Sequence, residues 1–352
     1  MNYISNRMNP NKTNPAGGIA MKNQKKLLAA LLCGVMLFCG GCSPSPTAVT
    51  VNKRSVDASE TAFYIQYALQ NLQNTSGGEE PDKKKLNTKA KESALDQIVS
   101  NELVLEKCRE YDLTLSKKTR KLLEDEKKYL IKSLGGKAGY LKYLKEQTLT
   151  DRTYDKFQAN SKYADLLYEK LVGDSGKYAA TDEGLRQFFG ESFARVQYIR
   201  FSMIDDSGKT ISEEEVDQAM EKANQVLAMA QEEGADFAAL MAQYNDDPYM
   251  SASPEGLVMS AADAAQNPQF EELFQLKENA VGGVYVGTDG YYLVKRLPLE
   301  PGYFDKNRDA VAAAYRDAKY NELLAGWKEK AAIKTTSVFR DMNIENLKDY
   351  VK

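Results

Sequence analysis

The sequence contains no histidine. That single absence removes the Ser–His–Asp triad, the Cys–His dyad and every imidazole metal site. Cysteine and tryptophan are nearly missing as well, with four and one among 352 residues. So few cysteines cannot frame a disulfide-dense scaffold of this length. An excess of either charge is also lacking, since 47 Lys+Arg oppose 50 Asp+Glu for a formal net charge of −3. Such a balance leaves no electrostatic footprint for nucleic acid. What is present is 43% hydrophobic residues, 21 Tyr and 12 Phe. This is enough for real cores in roughly two domains of ~150 residues each.

The first forty-two residues concern address rather than fold. Lys22, Lys25 and Lys26 form a basic segment after Met21, and Leu27 to Phe38 is uninterrupted and apolar. The run falls short of the ~20 residues that cross a bilayer but suits a signal peptide. Gly40-Gly41-Cys42-Ser43-Pro44 follows, which resembles a bacterial lipoprotein signal with Cys42 as the lipidated first mature residue. Cys39 departs from that pattern, which usually carries an aliphatic there. An ordinary secretory signal and an uncleaved anchor are the other readings. Residues 1–20 have no such logic, so Met21 is the expected start and 21–41 the expected signal peptide. Five basic residues (Arg7, Lys12, Lys22, Lys25, Lys26) and no acidic ones precede Cys42, so a chain beginning there has 42 basic and 50 acidic residues, a net charge of −8. With Cys42 carrying lipid, Cys108 has no disulfide partner and reads as a small buried hydrophobe.

The chain then changes character once. A short Ser/Pro tether and a strand near 48–52 lead into helices expected from Ser59, over Lys89 to Tyr111, and over 116–134, 136–147 and 150–172, with an exposed loop at 74–85. From Ser192 the pattern becomes mixed. Ala194 to Met203 alternates as a strand does. Ile211 to Gln231 is amphipathic behind a Ser212/Glu215 capping box. A short helix over Asp236 to Tyr244, another around Pro268 to Leu276, and a hairpin over Val284 to Leu297 turned at Asp289-Gly290 complete the unit. The order β-α-α-loop-α-β-β describes a small α+β domain. After the Pro298–Pro301 linker, a helix from Asp305 to about Ala332 lacks a partner in that domain and is expected to pack on the N-terminal helices. The expected fold class is therefore α+β: a helical domain built from both chain ends (42–190 and 303–352) with a small domain inserted at 191–298.

Other candidate motifs fail. Gly173-Asp-Ser-Gly-Lys177 lacks Walker spacing and reads as a turn. Asp205-Asp206-Ser207-Gly208 lacks the spaced carboxylates of an EF-hand. Lys83-Lys84-Lys85 reads as part of the solvated loop.

Three stretches carry a family resemblance: Lys91 to Leu105; Glu233-Gly-Ala-Asp-Phe-Ala-Ala-Leu240 with Tyr244-Asn-Asp-Asp-Pro248; and Asn267 to Lys277 with Gly290-Tyr-Tyr-Leu-Val-Lys295. They are similar to the extracytoplasmic foldases of the PrsA and SurA type, in which a parvulin peptidyl-prolyl isomerase domain is inserted in a helical chaperone domain. By position, Tyr198 and Tyr292 stand where that family has its two histidines, and Asp247 stands at its Cys/Asp position. These three are the catalytic candidates. Phe270 matches the aromatic of the proline pocket, Gln266 falls where a methionine usually lines it, and Phe274 joins them as a substrate-binding candidate. The Gly-Gly-Asp-Leu-Gly loop is reduced to Glu255-Gly-Leu-Val-Met259.

Rotation about an X–Pro bond faces a barrier of ~20 kcal/mol but needs no obligatory proton transfer. A site works by gripping proline and favouring the twisted amide. Two tyrosines flanking Asp247 could keep a hydrogen-bond network, but a phenol with a pKa near ~10 does not tune it as imidazole does. The bland reading stands beside this one: Tyr198 and Tyr292 as core aromatics, Phe270 and Phe274 as packing residues, Asp246-Asp247-Pro248 as a turn or helix stop. The resemblance implies unfolded or newly exported chains with X–Pro segments as partners, a membrane reached through the lipid anchor, and a homodimer as one assembly. It implies no cofactor, no metal and no nucleic acid. Phe63, Tyr64 and Tyr67 are the aromatics expected to offer clients an exposed apolar patch. The readings in competition are a foldase with weak or lost catalysis, a fully active isomerase, and a structural envelope or spore-associated lipoprotein.

Overall fold

The computed structural model describes residues 45–75, 82–270 and 272–351. The signal-like segment, Cys42 and the tether up to Pro44 lie outside them. Both ends of the described chain meet in one small sheet. Strands β1 (Thr47–Val51) and β2 (Arg54–Asp57) form a hairpin, and β7 (Ile333–Thr335), almost three hundred residues on, pairs antiparallel with β1 to give the order β2-β1-β7. Thr336 continues the junction by donating its hydroxyl to the Thr47 carbonyl at 2.9 Å.

Helices α1 (Ala58–Thr75), α2 (Lys83–Glu110), α3 (Lys117–Ser133), α4 (Lys137–Glu146) and α5 (Asp151–Val172) follow β2. Each start has a local cause. The Asp82, Ser116 and Thr150 side chains accept the first free N–H groups of α2, α3 and α5, which satisfies donors that a helix leaves orphaned. Asp82 explains why the Lys83-Lys84-Lys85 run opens α2 instead of lying in the loop. The core of this body joins Val49, Val56, Phe63, Ile65, Ile98 and Leu103 to Phe339, Met342 and Leu347 from the C-terminal segment. That segment is more than the expected single helix. Helix α11 (Pro301–Lys330), broken at Asn307, packs against α2, α5 and α6 (Asp182–Ser192), and β7 and α12 (Ser337–Asp341) come after it. The Cys108 thiol is buried between α2 and α5, donates to the Tyr163 carbonyl at 3.3 Å, and is pushed up to about 11 by burial.

Phe63, Tyr64 and Tyr67 do not form the exposed patch expected of them. Phe63 and Tyr64 are buried and Tyr67 is half-buried. Their rings surround Phe157 of α5 at 5.1, 6.5 and 5.9 Å between centroids. A helix periodicity shows which residues share a face but not what covers it, and here α5 does.

Between the two parts of the helical body runs a four-stranded antiparallel sheet of order β4-β3-β6-β5. Its strands are β3 (Phe193–Ser202), β4 (Leu257–Ser260), β5 (Val281–Val286) and β6 (Gly290–Leu297). Helices α7 (Glu213–Ala230) and α8 (Phe237–Tyr244), then the short α9 (Pro248–Ser251) and α10 (Ala261–Ala264), cross from β3 to β5. The Ser212/Glu215 capping box is formed, and Ala223 and Val226 of α7 enter the core with Ile199, Phe201 and Leu293. The expected helix over Pro268 to Leu276 is instead two 3-10 turns. The remnant loop Glu255 to Met259 runs into the edge strand β4. Gly256 sits at φ +93°, where an added Cβ would lie 2.9 Å from the Val196 carbonyl oxygen. Gly256→Ala is expected to cost about 1–3 kcal/mol by strain at this position, measured as a lower urea midpoint.

Candidate active site

The sheet assembles the candidate residues by register. Tyr198 opposes Val294 across β3 and β6, while Arg200 opposes Tyr292. Directly opposed and second-neighbour residues share a face, so Tyr198, Arg200 and Tyr292 project to one side. There Phe270, from the first 3-10 turn, meets both tyrosines. The centroids lie 5.5 Å apart for Tyr198–Phe270, 5.5 Å for Tyr198–Tyr292 and 6.1 Å for Phe270–Tyr292. The three residues are only 6%, 5% and 4% exposed, in the order Tyr198, Phe270, Tyr292. The three rings pack on one another within the buried core of the domain.

Asp247 arrives from the α8–α9 loop. Its carboxylate caps α9 by accepting the Tyr249 N–H at 2.8 Å, and Pro248, which has no N–H to lose, occupies the first turn. The loop is stapled to β3: the Asn245 and Asp246 side chains accept the N–H groups of Arg200 and Ser202 at 2.8 and 3.0 Å. The other Asp247 oxygen accepts the Tyr198 hydroxyl at 2.6 Å. Tyr292 does not flank Asp247 in the way the sequence suggested. It donates to Asp289 at 2.7 Å, and Asp289 also receives Arg200 at 2.7 Å.

Electrostatically, both phenols are held as donors. Burial first, and then the carboxylate each one faces, pushes the Tyr198 and Tyr292 hydroxyls well above the ordinary phenol range. Neither can accept a proton from a substrate at neutral pH while its hydroxyl hydrogen is committed to Asp247 or Asp289. Arg200 loses some of its charge preference to burial but is driven above its usual range by Asp247 and Asp289.

The structure thus brings together Tyr198, Asp247, Tyr292 and Phe270. Phe274 lies at the margin, half-buried, with the Arg296 guanidinium 5.9 Å from its ring. Gln266 is exposed beyond α10, where its N–H bonds the Asp263 carbonyl at 3.2 Å. Sequence reasoning missed Arg200 and Asp289. Both had a signal: Arg200 stands two residues from Tyr198 on the same strand face, and Asp289 sits in the hairpin turn three residues before Tyr292.

Residues 21–172 match the family model of the SurA-like N-terminal domain, and residues 186–297 match the PPIC-type PPIase domain. No curated protein matches the chain. Among solved structures, the chain is similar to the foldase protein PrsA from Streptococcus pneumoniae at 20% identity, covering 72% of this chain and 90% of that one with a TM-score of 0.30. It is also similar to the peptidylprolyl isomerase PrsA from Bacillus anthracis at 14% identity, covering 67% and 95% with a TM-score of 0.34. For PrsA from Bacillus subtilis the figures are 19%, 75%, 91% and 0.25.

Proposed function

Because the chain belongs to the PrsA/SurA-type parvulin foldases, with a SurA-like N-terminal domain followed by a PPIC-type PPIase domain, we propose that it is a foldase whose isomerase domain binds exported chains while catalysing X–Pro rotation weakly or not at all. The observation that carries this reading is the closure of Tyr198, Phe270 and Tyr292 on one another, with the two tyrosine hydroxyls committed to Asp247 and Asp289. Catalysis of a rotation requires an apolar grip on the proline ring and donors that engage the twisted amide better than either planar form. Here the aromatic that would grip proline is covered, and the donors already have anionic acceptors. Displacing a phenol from a carboxylate gives up a charge-assisted hydrogen bond, a cost the substrate would have to repay.

The chain acts outside the cytoplasm in this reading, held to the membrane through lipid on Cys42. The lipoprotein-like run Gly40-Gly41-Cys42 behind Leu27 to Phe38 supports this part. Mass spectrometry of the exported protein tests it: a diacylglyceryl mass at residue 42 is expected, and its absence overturns the anchor.

Catalysis is tested by proline-limited refolding of a model protein. Little acceleration is expected, with Asp247→Ala leaving the rate unchanged. Parvulin-like turnover that Asp247→Ala abolishes would sink the weak-catalysis reading. In the same samples, suppression of client aggregation should survive Asp247→Ala, because binding does not run through that carboxylate.

A further inference from the structure

Charge is segregated along the chain in a way its near-neutral total conceals. The arm formed by α3 and α4, residues 117–146, holds ten basic and four acidic residues. The α+β domain, residues 191–298, holds seven basic and nineteen acidic ones. The arm also has two dissimilar faces. Its inner face turns Leu130, Ile131 and Leu134 toward the helical core, and Lys127 ties it to α5 by bridging Asp151 and Asp155 at 2.7 and 2.8 Å. Among the described residues its outer face has no such cover. Lys118, Lys121, Leu122, Asp125, Lys128, Tyr129 and Lys132 recur at helical spacing and are all exposed. Leu122 and Tyr129 are 49% and 75% exposed, and Leu141 of α4 is 51% exposed.

Large apolar side chains standing among lysines match the chemistry of a helix lying in a membrane interface: lysines meet anionic headgroups while Leu and Tyr enter the acyl boundary. The chain's own route favours that partner. Ser45 Oγ accepts the Ser59 N–H at 3.1 Å, and the Pro46 carbonyl accepts that of Ala58 at 2.7 Å, so the described chain begins at the N-terminus of α1. The next residue, Glu60, pairs with Lys156 at 2.7 Å, and Asp155 beside Lys156 holds Lys127 of the arm. The point of emergence and the arm are thus linked through adjacent residues of α5. Covalent geometry limits the three residues from Cys42 to Ser45 to about 10 Å.

We propose that the outer face of α3, with Leu141 of α4, is a docking surface for an anionic phospholipid bilayer. Contact there lays the helical body on the membrane and turns the acidic α+β domain outward, since like charge repels it from the same surface. The inference rests on the membrane-anchored reading, yet it is separable from lipidation.

Residues 45–352, which form one compact unit, are mixed at low salt with vesicles of phosphatidylglycerol and phosphatidylcholine, or of phosphatidylcholine alone, and bound protein is measured by flotation. Binding is expected only to the anionic vesicles, falling steeply with added salt. The combined Lys118→Glu, Lys121→Glu, Lys128→Glu and Lys132→Glu variant should bind more than about tenfold more weakly, at roughly 1 kcal/mol per lysine near the surface. Leu122→Ala with Tyr129→Ala should weaken binding a few-fold at unchanged charge. These positions are exposed, and unchanged far-UV circular dichroism confirms that the variants fold. No binding to anionic vesicles at low salt overturns the proposal, as does equal binding by the charge-reversed protein. So does an arm substitution that disturbs self-association or client binding while leaving vesicle binding intact. Because residue 42 is absent from this protein, an unlipidated Cys42 would end the anchor and leave this result untouched.

Discussion

Replacing Lys156 by methionine is expected to remove about 3–5 kcal/mol of folding stability at neutral pH, the cost of stranding buried charge. Lys156 bridges two carboxylates from different helices, Glu60 of α1 and Glu102 of α2, each at 2.7 Å. Arg54 of β2 closes the other side of Glu102. Both carboxylates are buried, so water cannot replace the lost ammonium. The two acids respond to pH in opposite senses. Burial would raise Glu102, but the hydrogen bonds and charges of Lys156 and Arg54 outweigh it and hold the group below the usual carboxylate range. Its contribution is therefore present above the unfolded pKa of ~4.3 and lost as pH falls through the lower folded value. Burial wins at Glu60 and raises it, so its contribution is complete below ~4.3 and declines as pH rises through the folded value. In the Lys156→Met protein both acids become easier to protonate, and the deficit should shrink as pH is lowered toward 4. Urea unfolding followed by Trp327, the single tryptophan of the chain and a neighbour of this core, measures it. An unchanged midpoint at pH 7 would show that the pair is dispensable.

Tyr198→Ala should destabilise the α+β domain by about 3–5 kcal/mol, as expected for a large aromatic removed from a packed core. Its ring touches Phe270 and Tyr292, and its hydroxyl satisfies Asp247. Tyr198→Phe separates the two contributions. It keeps the ring and removes one hydrogen bond, for an expected cost of about 1–2 kcal/mol, since Asp247 still caps α9 through the Tyr249 N–H. Far-UV circular dichroism during urea unfolding reports these variants, because Trp327 lies in the other core. A Tyr198→Ala protein as stable as the parent would mean that the ring is free to move aside, which would reopen the site to proline and weaken the reading of a closed pocket.

Both predictions depend on partners that lie far apart in sequence, and the legible and illegible parts of this protein divide along that line. The amphipathic run of α7 with its Ser212/Glu215 box, the alternation of β3, and the Asp289-Gly290 turn were all readable, since each is set by residues within a few positions of one another. The triad of Tyr198, Asp247 and Tyr292 was placed by family pattern, and the structure brings the three into one region. What pattern could not supply was the pairing within it: Tyr292 turns to Asp289 because β6 begins directly after that turn, and Arg200 completes the bridge because the β3–β6 register sets it opposite Tyr292.

The helical body repeats the lesson with the opposite outcome. Phe63, Tyr64 and Tyr67 share a helix face, which sequence shows, but burial depends on α5 bringing Phe157 against them from ninety residues away. The second 3-10 turn after Phe270, the edge strand β4 and helix α6 are likewise illegible in the sequence, being short segments whose conformation is decided by the sheet and by α11 more than by their own periodicity.

By itself the sequence determined the absence of imidazole, the apolar run before Cys42, the helical and mixed halves, and the uneven distribution of charge, because composition and local periodicity belong to the chain alone. Only the tertiary structure decided that the two tyrosines answer to different carboxylates, that Lys156 is shared by two acids, and that the outer face of α3 is left uncovered. The physical reason is that hydrogen bonds, ion pairs and buried surface are properties of pairs of residues, and folding chooses the pairs.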